Sequence, residues 1–406
     1  MTEIIFAVFC VVYLGMILGG LPFLQLDRTG IALLGAIALI GVEAVSPEEA
    51  AKSIHLPTLI LLFSFMVISA QMRLGGFYDW VTRRLAALPL SAPLLLAALI
   101  LVVAALSAVF SNDIVCMAIA PVLIDACLAR RLDPVPYLLA LACAANVGSA
   151  ATLIGNPQNM LIGQTLELSF GGYFVQALAP VLLGLAATWG LIAWQTRGRW
   201  VSAEGGAMPE RRNEHQVPFN RWQTTKGLAV AAALLAVFLF LPSWPRDVAA
   251  LTGAGLLLTS RKLHSNKMLG LVDWELLILF IGLFVVNHAL QKTGIVGSIV
   301  AQLAGSGVRL EQPAPLFAAT LVLSNIVSNV PAVMLLLPVA GHALAGPMLA
   351  LVSTLAGNLM IVGSIANIIV VDAAARRGVR IDWRRHARVG VPVTLVTLAI
   401  CAASLW

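Results

Sequence analysis

The chain contains 406 residues, of which 60% are hydrophobic and 11% are charged, and its mean hydropathy is +0.94. This composition excludes an ordinary soluble domain, in which about a quarter of the residues are charged. The formal net charge of +6 would suggest a nucleic-acid partner for a soluble chain. In a membrane protein it reflects loop charges that set orientation, so no nucleic acid is expected.

Apolar runs in the first half of the chain are long enough for helices that cross a bilayer, which takes about 17–25 residues. The predicted fold class is an all-α polytopic membrane protein with two inverted repeats. Each repeat has five spanning helices, one of them broken, and one re-entrant helical hairpin. The first repeat is predicted at residues 1–196, with spans at 4–20, 29–45, 56–74, 136–165 (broken) and 171–196 and a hairpin at 92–129.

The polar stretch at residues 197–225 is predicted to be a linker between the two halves. The second repeat is predicted at 226–406, with spans at 226–243, 246–260, 272–291, 347–375 (broken) and 388–405 and a hairpin at 313–345. Short amphipathic segments at 76–88 and 295–303 precede the two hairpins. Such segments are typical of helices that lie in the membrane interface.

The two hairpins contain the same motif. Residues 107–122 read SAVFSNDIVCMAIAPV, residues 324–339 read SNIVSNVPAVMLLLPV, and a shift of 217 residues aligns them without a gap. The tips carry Ser111 and Asn112 in the first copy and Ser328 and Asn329 in the second. Serine and asparagine are turn and cap residues, but their recurrence in both hairpins favours a binding role in addition to capping.

Each hairpin is followed by a polar break in a spanning helix. Gly148–Asn159 reads GSAATLIGNPQN, and Gly357–Asn367 reads GNLMIVGSIAN. Unpaired backbone groups are costly in hydrocarbon, so each break requires a polar guest or a cavity. The helix N-termini after the breaks attract anions, and the carbonyls before them can hold cations. Matching breaks in two hydrophobic halves are the best sequence indication of a transporter's central site.

Asp113, at the first tip, is the acidic residue predicted to lie deepest in the membrane, whereas Val330 holds the equivalent place at the second. An intramembrane carboxylate is a functional candidate by default, so Asp113 is predicted to couple transport to a proton or a cation.

The five cysteines lack metal-ligand spacing, so no metal site is expected, and no cofactor is expected beyond the coupling ion, Na⁺ or H⁺. P-loop, HExxH and GxSxG motifs are absent from the sequence, which argues against an enzyme.

The distribution of lysines and arginines predicts the orientation of the chain in the membrane. If both hairpins are re-entrant, each half crosses the membrane five times and the halves are inverted. Of the 25 lysines and arginines, only four then lie on one side, namely Lys52, Arg246, Lys292 and Arg309. The positive-inside rule makes the richer side cytoplasmic. We therefore expect an inner (plasma) membrane protein with a cytoplasmic linker and both termini outside.

The paired Ser-Asn tips, the ATLIGNPQN break and the SNIVSNVPAV stretch resemble the ion transporter superfamily. That group includes divalent anion–sodium symporters, citrate–metal symporters, arsenite-efflux permeases and some sodium–proton antiporters. The resemblance covers essentially the whole chain and implies an elevator mechanism, usually in a homodimer. It implies a first half-site at Ser111, Asn112, Gly148, Ser149, Thr152, Gly155 and Asn156, and a second at Ser328, Asn329, Gly357, Asn358, Gly363 and Ser364. Asn159 and Asn367, which end the two breaks, complete the set of candidate residues.

The third residue of each hairpin tip helps to predict the class of substrate. Sodium-coupled dicarboxylate members carry Ser-Asn-Thr at both tips, whereas the Asn-Asp pair here is similar to the arsenite-efflux branch. The prediction is a secondary active transporter for a small anion or metalloid acid, coupled to H⁺ or Na⁺. The alternatives are a sodium-coupled di- or tricarboxylate symporter, a sodium–proton antiporter and, outside the transporters, an ion channel. The expected partners are the small solute, the lipid bilayer and a second copy of the chain.

Overall fold

A computed structural model describes residues 1–20, 24–201, 217–260 and 262–406, and these ranges contain twenty α-helices. The first half contains α1 (Thr2–Leu18), α2 (Arg28–Gly41), α3 (Pro47–Ser53), α4 (Leu56–Leu74), α5 (Phe77–Ala86), α6 (Ala92–Val109), α7 (Asn112–Ala129), α8 (Pro134–Ser149), α9 (Pro157–Thr165) and α10 (Phe170–Gln195). The second half contains α11 (Arg221–Phe240), α12 (Arg246–Leu258), α13 (Ser265–Leu269), α14 (Trp274–Lys292), α15 (Ile295–Gly305), α16 (Pro313–Val327), α17 (Asn329–Leu336), α18 (Ala345–Ala356), α19 (Ile365–Arg376) and α20 (Trp383–Leu405).

The all-helical fold predicted from the apolar runs is confirmed. The described ranges contain no β-strand, and the bridge whose two partners are both described joins Leu132 and Val201. Seven helices are long and apolar enough to span a membrane by length and composition, namely α4, α6, α7, α10, α11, α14 and α20. The other predicted spans correspond to shorter helices, and a break divides two of them, at 136–165 and 347–375.

Two helices, α11 and α20, begin five residues earlier than the apolar runs predict, and each starts at a capping side chain. Asn220 accepts the backbone N–H of Gln223 at 3.1 Å, so α11 starts within the predicted linker. Asp382 accepts the N–H of Arg385 at 2.7 Å and starts α20 five residues before the predicted span. Such caps satisfy helix N–H groups that have no partner inside the helix. Residues 202–216 of the predicted linker lie outside the described residues.

The two halves contain the same elements in the same order, with each helix of the second half ten places after its counterpart. Equivalent helices of the two halves also pack against equivalent partners. Helix α2 packs against α14 as α12 packs against α4, α6 packs against α8 as α16 packs against α18, and α10 packs against its own counterpart α20. Exchanging the halves leaves these pairs unchanged, which is the pattern produced by a pseudo-twofold axis between α10 and α20.

The hairpins and the breaks lie in the middle of this arrangement. Helices α6 and α7 are joined by a two-residue tip, and α16 and α17 by Ser328 alone. In the first break, Pro157 occupies the start of α9, where its missing N–H costs nothing. A Cβ at Gly148 would overlap the backbone of Ala104 in α6. The broken helix therefore packs directly against its hairpin, which brings the tip to the break.

Candidate substrate and ion site

Asn146, in the last turn of α8, is the centre of a buried polar network. Its Oδ1 accepts hydrogen bonds from Asn112 Nδ2 at 3.1 Å and Ser364 Oγ at 2.9 Å. Its Nδ2 donates to Asn358 Oδ1 at 2.8 Å and Asn367 Oδ1 at 3.2 Å. An amide oxygen accepts two hydrogen bonds and an amide nitrogen donates two, so Asn146 uses its full capacity. One side chain thus joins the first hairpin tip to both ends of the second break.

Thr354, in α18, makes the reverse connection to the first break. Its Oγ1 lies 3.1 Å from Asn156 Nδ2, 3.2 Å from Gln158 Nε2 and 3.3 Å from Asn159 Oδ1. Asn156 also caps α9, because its Oδ1 accepts the backbone N–H of Asn159 at 2.9 Å. Asn159 Nδ2 donates in turn to the carbonyl of Thr152 at 3.1 Å. The two breaks therefore hold each other in one buried polar layer.

Each hairpin tip closes onto the break of its own half. The backbone N–H of Asn112 donates to the carbonyl of Gly155 at 3.2 Å. A Cβ at Gly155 would overlap the backbone of Ser149, so the first break needs glycine at this close approach. In the second half, a Cβ at Gly357 would lie 3.2 Å from Asn329 Nδ2. Both tips and both breaks therefore meet in one region.

Some polar atoms in this region are buried and have no hydrogen-bond partner in the described part of the chain. They are Ser107 Oγ, Asn112 Oδ1, Ser324 Oγ, Asn325 Oδ1, Asn329 Oδ1 and Asn358 Nδ2. The two serines are equivalent under the 217-residue shift, and so are Asn112 and Asn329. An unpaired buried polar group costs about 1–3 kcal/mol, and native proteins rarely keep one without a function. The same atoms unpaired at two equivalent tips indicate a place for a bound solute or ion.

The structure brings most of the sequence-predicted residues into this region. Those whose side chains or backbone join the network are Asn112, Ser149, Thr152, Gly155, Asn156, Asn159, Gly357, Asn358, Ser364 and Asn367. Gly148 packs on α6, and a Cβ at Gly363 would lie 3.1 Å from Asn325 Oδ1. Ser111 and Ser328 form the tips, with Asn329 against the second break.

Asp113 is placed differently from the other candidates. It lies in the first turn of α7 beside Asn112, but its side chain is partly exposed. Its carboxylate makes no hydrogen bond or ion pair within the described ranges, and it does not join the network of Asn146. The structure therefore separates an uncharged amide and hydroxyl layer from one neighbouring carboxylate.

Sequence reasoning missed the two residues that connect the halves, Asn146 and Thr354. Both lie within apolar helical runs, two and three residues before the first glycine of a break. It also missed His386 of α20, a buried imidazole whose Nε2 lies 3.1 Å from the carbonyl oxygen of Asn358. The available signal was a polar residue inside an otherwise apolar spanning run, which is costly without a partner.

Comparison with known proteins identifies the family. A sequence model described as "Citrate transporter", CitMHS, matches residues 6–355. The chain belongs to the CitMHS family. The CitMHS match includes both hairpins and the first break, and it ends just before the second break. This CitMHS protein is therefore a multi-pass membrane transporter.

Relatives extend the similarity over at least 93% of the CitMHS chain. An uncharacterized transporter of Mycobacterium tuberculosis is 30% identical over 94% of this chain and 94% of its own length. A silicon efflux transporter of Oryza sativa subsp. japonica is 30% identical over 98% of this chain and 96% of its own. The putative transporter arsB of Dictyostelium discoideum is 24% identical over 93% and 87%.

A solved structure shares the fold of this CitMHS protein. The YdaH transporter of Alcanivorax borkumensis, whose topology is described as unusual, superposes with a TM-score of 0.54. The alignment covers 99% of this chain and 96% of that chain, at 15% sequence identity. At this identity the likeness establishes the architecture and leaves the substrate to the residues of the site.

Proposed function

We propose that the protein is a secondary active transporter that moves a small hydroxylated metalloid acid together with a coupling cation, H⁺ or Na⁺. The observation that carries the proposal is the chemistry of the unpartnered atoms at the two tips. They are uncharged, and three of the six only accept hydrogen bonds, namely the amide oxygens of Asn112, Asn325 and Asn329. Two relatives, named as a silicon efflux transporter and as arsB, support the same substrate class.

An acceptor-rich site discriminates between solutes. A carboxylate offers only acceptors, so it can pair with the two serine hydroxyls and Asn358 Nδ2, but it needs a cation between itself and the three asparagine oxygens. A neutral acid such as arsenous or silicic acid carries hydroxyl groups that donate and accept. These hydroxyls can donate to Asn112 Oδ1 and Asn329 Oδ1 and accept from Asn358 Nδ2. Amide oxygens are also suitable ligands for a hard cation, which fits a cation bound together with the solute.

Asp113 is the proposed coupling group. It lies next to Asn112 in sequence, and its carboxylate is not committed to an ion pair in the described ranges. A carboxylate within a spanning segment can take up a proton or a cation on one side and release it on the other. We expect Asp113→Asn to lose gradient-driven transport while keeping exchange of solute for solute.

We also propose an elevator movement, in which α6–α10 and α16–α20 move as one body against α1–α4 and α11–α14. The network of Asn146 and Thr354 supports the first group as one unit. Three side-chain hydrogen bonds cross between the two groups in the described part of the chain. They run from Arg73 to Met117 Sδ, from Asn287 to Met334 Sδ and from Arg246 to the Gly163 carbonyl. Thioether sulfur is a weak acceptor, so little directional bonding opposes sliding.

The resemblance to elevator transporters also leads us to propose a homodimer with a cytoplasmic linker and both termini outside. Native mass spectrometry of the detergent-solubilised protein tests the dimer. Labelling of single cysteines near Thr2 and near Val217 with a membrane-impermeant maleimide in whole cells tests the orientation. We expect labelling of the first position and not of the second.

The transport experiment uses purified protein in proteoliposomes with an imposed proton or sodium gradient. Uptake of arsenite, silicic acid and citrate is measured by mass spectrometry of arsenic and silicon and by radiolabelled citrate. We expect accumulation of arsenite or silicic acid above equilibrium, driven by one of the two gradients. Flux that only equilibrates would support a channel instead. The absence of any gradient-driven metalloid uptake would overturn the proposal.

Variants at the tips assign the site. Asn112→Ala and Asn329→Ala are each expected to reduce uptake at least tenfold, since each removes an acceptor for the solute or the cation. Asn266→Ala is the matched control, because Asn266 is an exposed asparagine in α13. Normal uptake by both tip variants would show that the solute binds elsewhere.

A citrate–cation symporter is the second candidate, because the matching family model is described as a citrate transporter. In that case a cation would have to lie between the asparagine oxygens and the carboxylates. Citrate accumulation that depends strictly on a metal ion or Na⁺, with no uptake of arsenite or silicic acid, would establish this candidate.

A further inference from the structure

His386 is a buried imidazole that the proposed function does not use. It lies in α20 with 2% of its surface exposed. Its Nε2 is 3.1 Å from the carbonyl oxygen of Asn358. A carbonyl oxygen can only accept, so the imidazole carries its proton on Nε2 and donates. Asn358 is the first residue after the glycine of the second break, so this hydrogen bond ties α20 to the break itself.

The fold brings α20 close enough for this hydrogen bond by placing a glycine one turn further along. A Cβ at Gly390 would overlap the carbonyl oxygen of Asn358 and lie 2.9 Å from His386 Nε2. The carbonyl oxygen of Asn358 therefore lies directly against the backbone of α20 at Gly390 and accepts a hydrogen bond from His386. A helix that approaches a loop at its backbone fixes the position of that loop more firmly than a contact between side chains.

The side chain of Asn358 shows what this fixation achieves. Its Oδ1 accepts from Asn146 Nδ2 at 2.8 Å, so one end of the amide is held by the network. Its Nδ2 is buried without a partner in the described part of the chain. It is the amide donor among atoms that are otherwise acceptors or hydroxyls. A rotation of the backbone at Asn358 would change the direction of this donor.

We propose that His386 is a positioning residue for substrate binding, which holds Asn358 so that its amide Nδ2 faces the solute. The proposal rests on the proposed function for the identity of the site, and it assigns a role to a residue outside the tips and breaks. Helices α8, α10 and α18 pack against α20. Their sequences contain no Asp, Glu, Lys, Arg or His. His386 therefore acts through the single hydrogen bond and not through an ion pair with these helices.

The reach of amide side chains gives a sharp test. The amide nitrogen of glutamine extends to about the position of Nε2 of a histidine, whereas that of asparagine extends only to the position of Nδ1. His386→Gln should therefore keep the hydrogen bond to Asn358, and His386→Asn should lose it. His264→Asn is the matched control, because His264 is an exposed histidine before α13.

We expect His386→Asn to raise the KM for arsenite about five- to tenfold, since a net hydrogen bond contributes about 1 kcal/mol and 1.4 kcal/mol is a factor of ten. The maximal rate should change little. His386→Gln and His264→Asn should stay within twofold of wild type in KM. Equal KM values for His386→Asn and wild type would overturn the proposal.

A second measurement does not depend on the solute. Hydrogen–deuterium exchange of residues 357–364 reports how firmly the second break is held. We expect faster exchange in His386→Asn and wild-type exchange in His386→Gln. Unchanged exchange in His386→Asn would contradict the positioning role whatever the transported solute. Faster exchange without arsenite, silicic acid or citrate transport by wild type would instead contradict the proposed function alone.

Discussion

At the scale of single residues, Asn146 shows why the site needs amides and not charges. Two of its neighbours donate to its oxygen, and two accept from its nitrogen. An aspartate of the same shape would present oxygen to Asn358 Oδ1 and Asn367 Oδ1, and a leucine would leave four buried partners unpaired. Leaving a buried partner unpaired costs about 1–3 kcal/mol. Asparagine is thus the side chain that satisfies both halves without adding a charge to the layer.

Ser328 carries backbone strain at the second tip, and this strain leads to a prediction. Its φ of 77° and ψ of 161° lie in a region that glycine adopts and other residues rarely do. Such a conformation costs of order 1–3 kcal/mol and is characteristic of ligand-binding turns. We expect Ser328→Gly to raise the melting temperature measured by thermal unfolding, because glycine adopts these angles without the clash of a Cβ.

Ser111 provides the control for this prediction, since it is the equivalent tip residue and has an ordinary φ of −48°. Ser111→Gly should leave stability unchanged or lower it, because there is no strain to relieve and glycine has more freedom in the unfolded chain. If Ser328→Gly is stabilised but transports poorly, the serine hydroxyl itself contacts the solute. A lower melting temperature for Ser328→Gly would show that the turn is not strained.

At the scale of helices, the apolar runs predicted most of the fold, because burial in a membrane depends on local composition. Both hairpins and both breaks appear where runs and glycines predicted them. The limits of α11 and α20 were missed because a cap depends on one polar residue outside the run. Asn146 and Thr354 were missed for a different reason. The partners that join them to the other half lie about 200 residues away in the chain, so the local sequence shows a polar residue in an apolar run but not what it binds.

The short helix α3 is attached to α14 by an ion pair that predicts a pH dependence. Glu49 Oε1 lies 2.6 Å from Lys292 Nζ and 3.2 Å from His288 Nε2. The hydrogen bonds from Lys292 and then from His288 lower the pKa of Glu49 below its usual value of 4.5. A carboxylate with a lowered pKa stabilises the fold above its usual pKa, and this contribution is lost as the pH falls through the lower, folded value.

We therefore expect Glu49→Gln to lower the melting temperature slightly at pH 7 and to match wild type at pH values well below 4.5. Because the pair is partly exposed, the difference should be small and should shrink in high salt. Glu48→Gln is the matched control, since Glu48 is the exposed neighbouring carboxylate. A difference between Glu49→Gln and wild type that persists unchanged at low pH would contradict this assignment.

At the scale of the whole molecule, the two halves share their elements but not all of their contacts. Helix α5 packs against α7 and buries Phe77, Tyr78 and Leu85, whereas its counterpart α15 has no buried residue and no comparable packing on α17 in the described ranges. Helix α9 packs against α4, without comparable packing of α19 on α14. We propose that the elevator movement exchanges these roles between the two halves.

Two equivalent arginines, Arg28 and Arg246, indicate which contacts this exchange would involve. Arg28 and Arg246 are the first residues of α2 and α12, and a shift of 218 residues relates them. Arg246 donates to the carbonyl of Gly163 at the end of α9, at 2.9 Å. Arg28 Nε is buried without a partner in the described part of the chain. The corresponding carbonyl at the end of α19 is that of Ala374, which accepts from Val379 N as Gly163 accepts from Leu168 N.

We expect the contact of Arg246 with α9 to open, and a contact of Arg28 with the end of α19 to form, when the site turns to the other side of the membrane. Cysteine pairs at positions 246 and 164, and at positions 28 and 375, test this with a short bismaleimide. Cys10→Ser is the background, because the other four cysteines are buried.

The first pair should cross-link in the arrangement described here. Cross-linking of either pair should block transport and should also prevent cross-linking of the other pair. Arg246→Gln, combined with the second pair alone, should increase cross-linking of that pair, whereas Arg309→Gln, at an exposed arginine, should not. Both pairs cross-linking fully in one molecule would contradict the exchange, because a single arrangement would then hold both contacts.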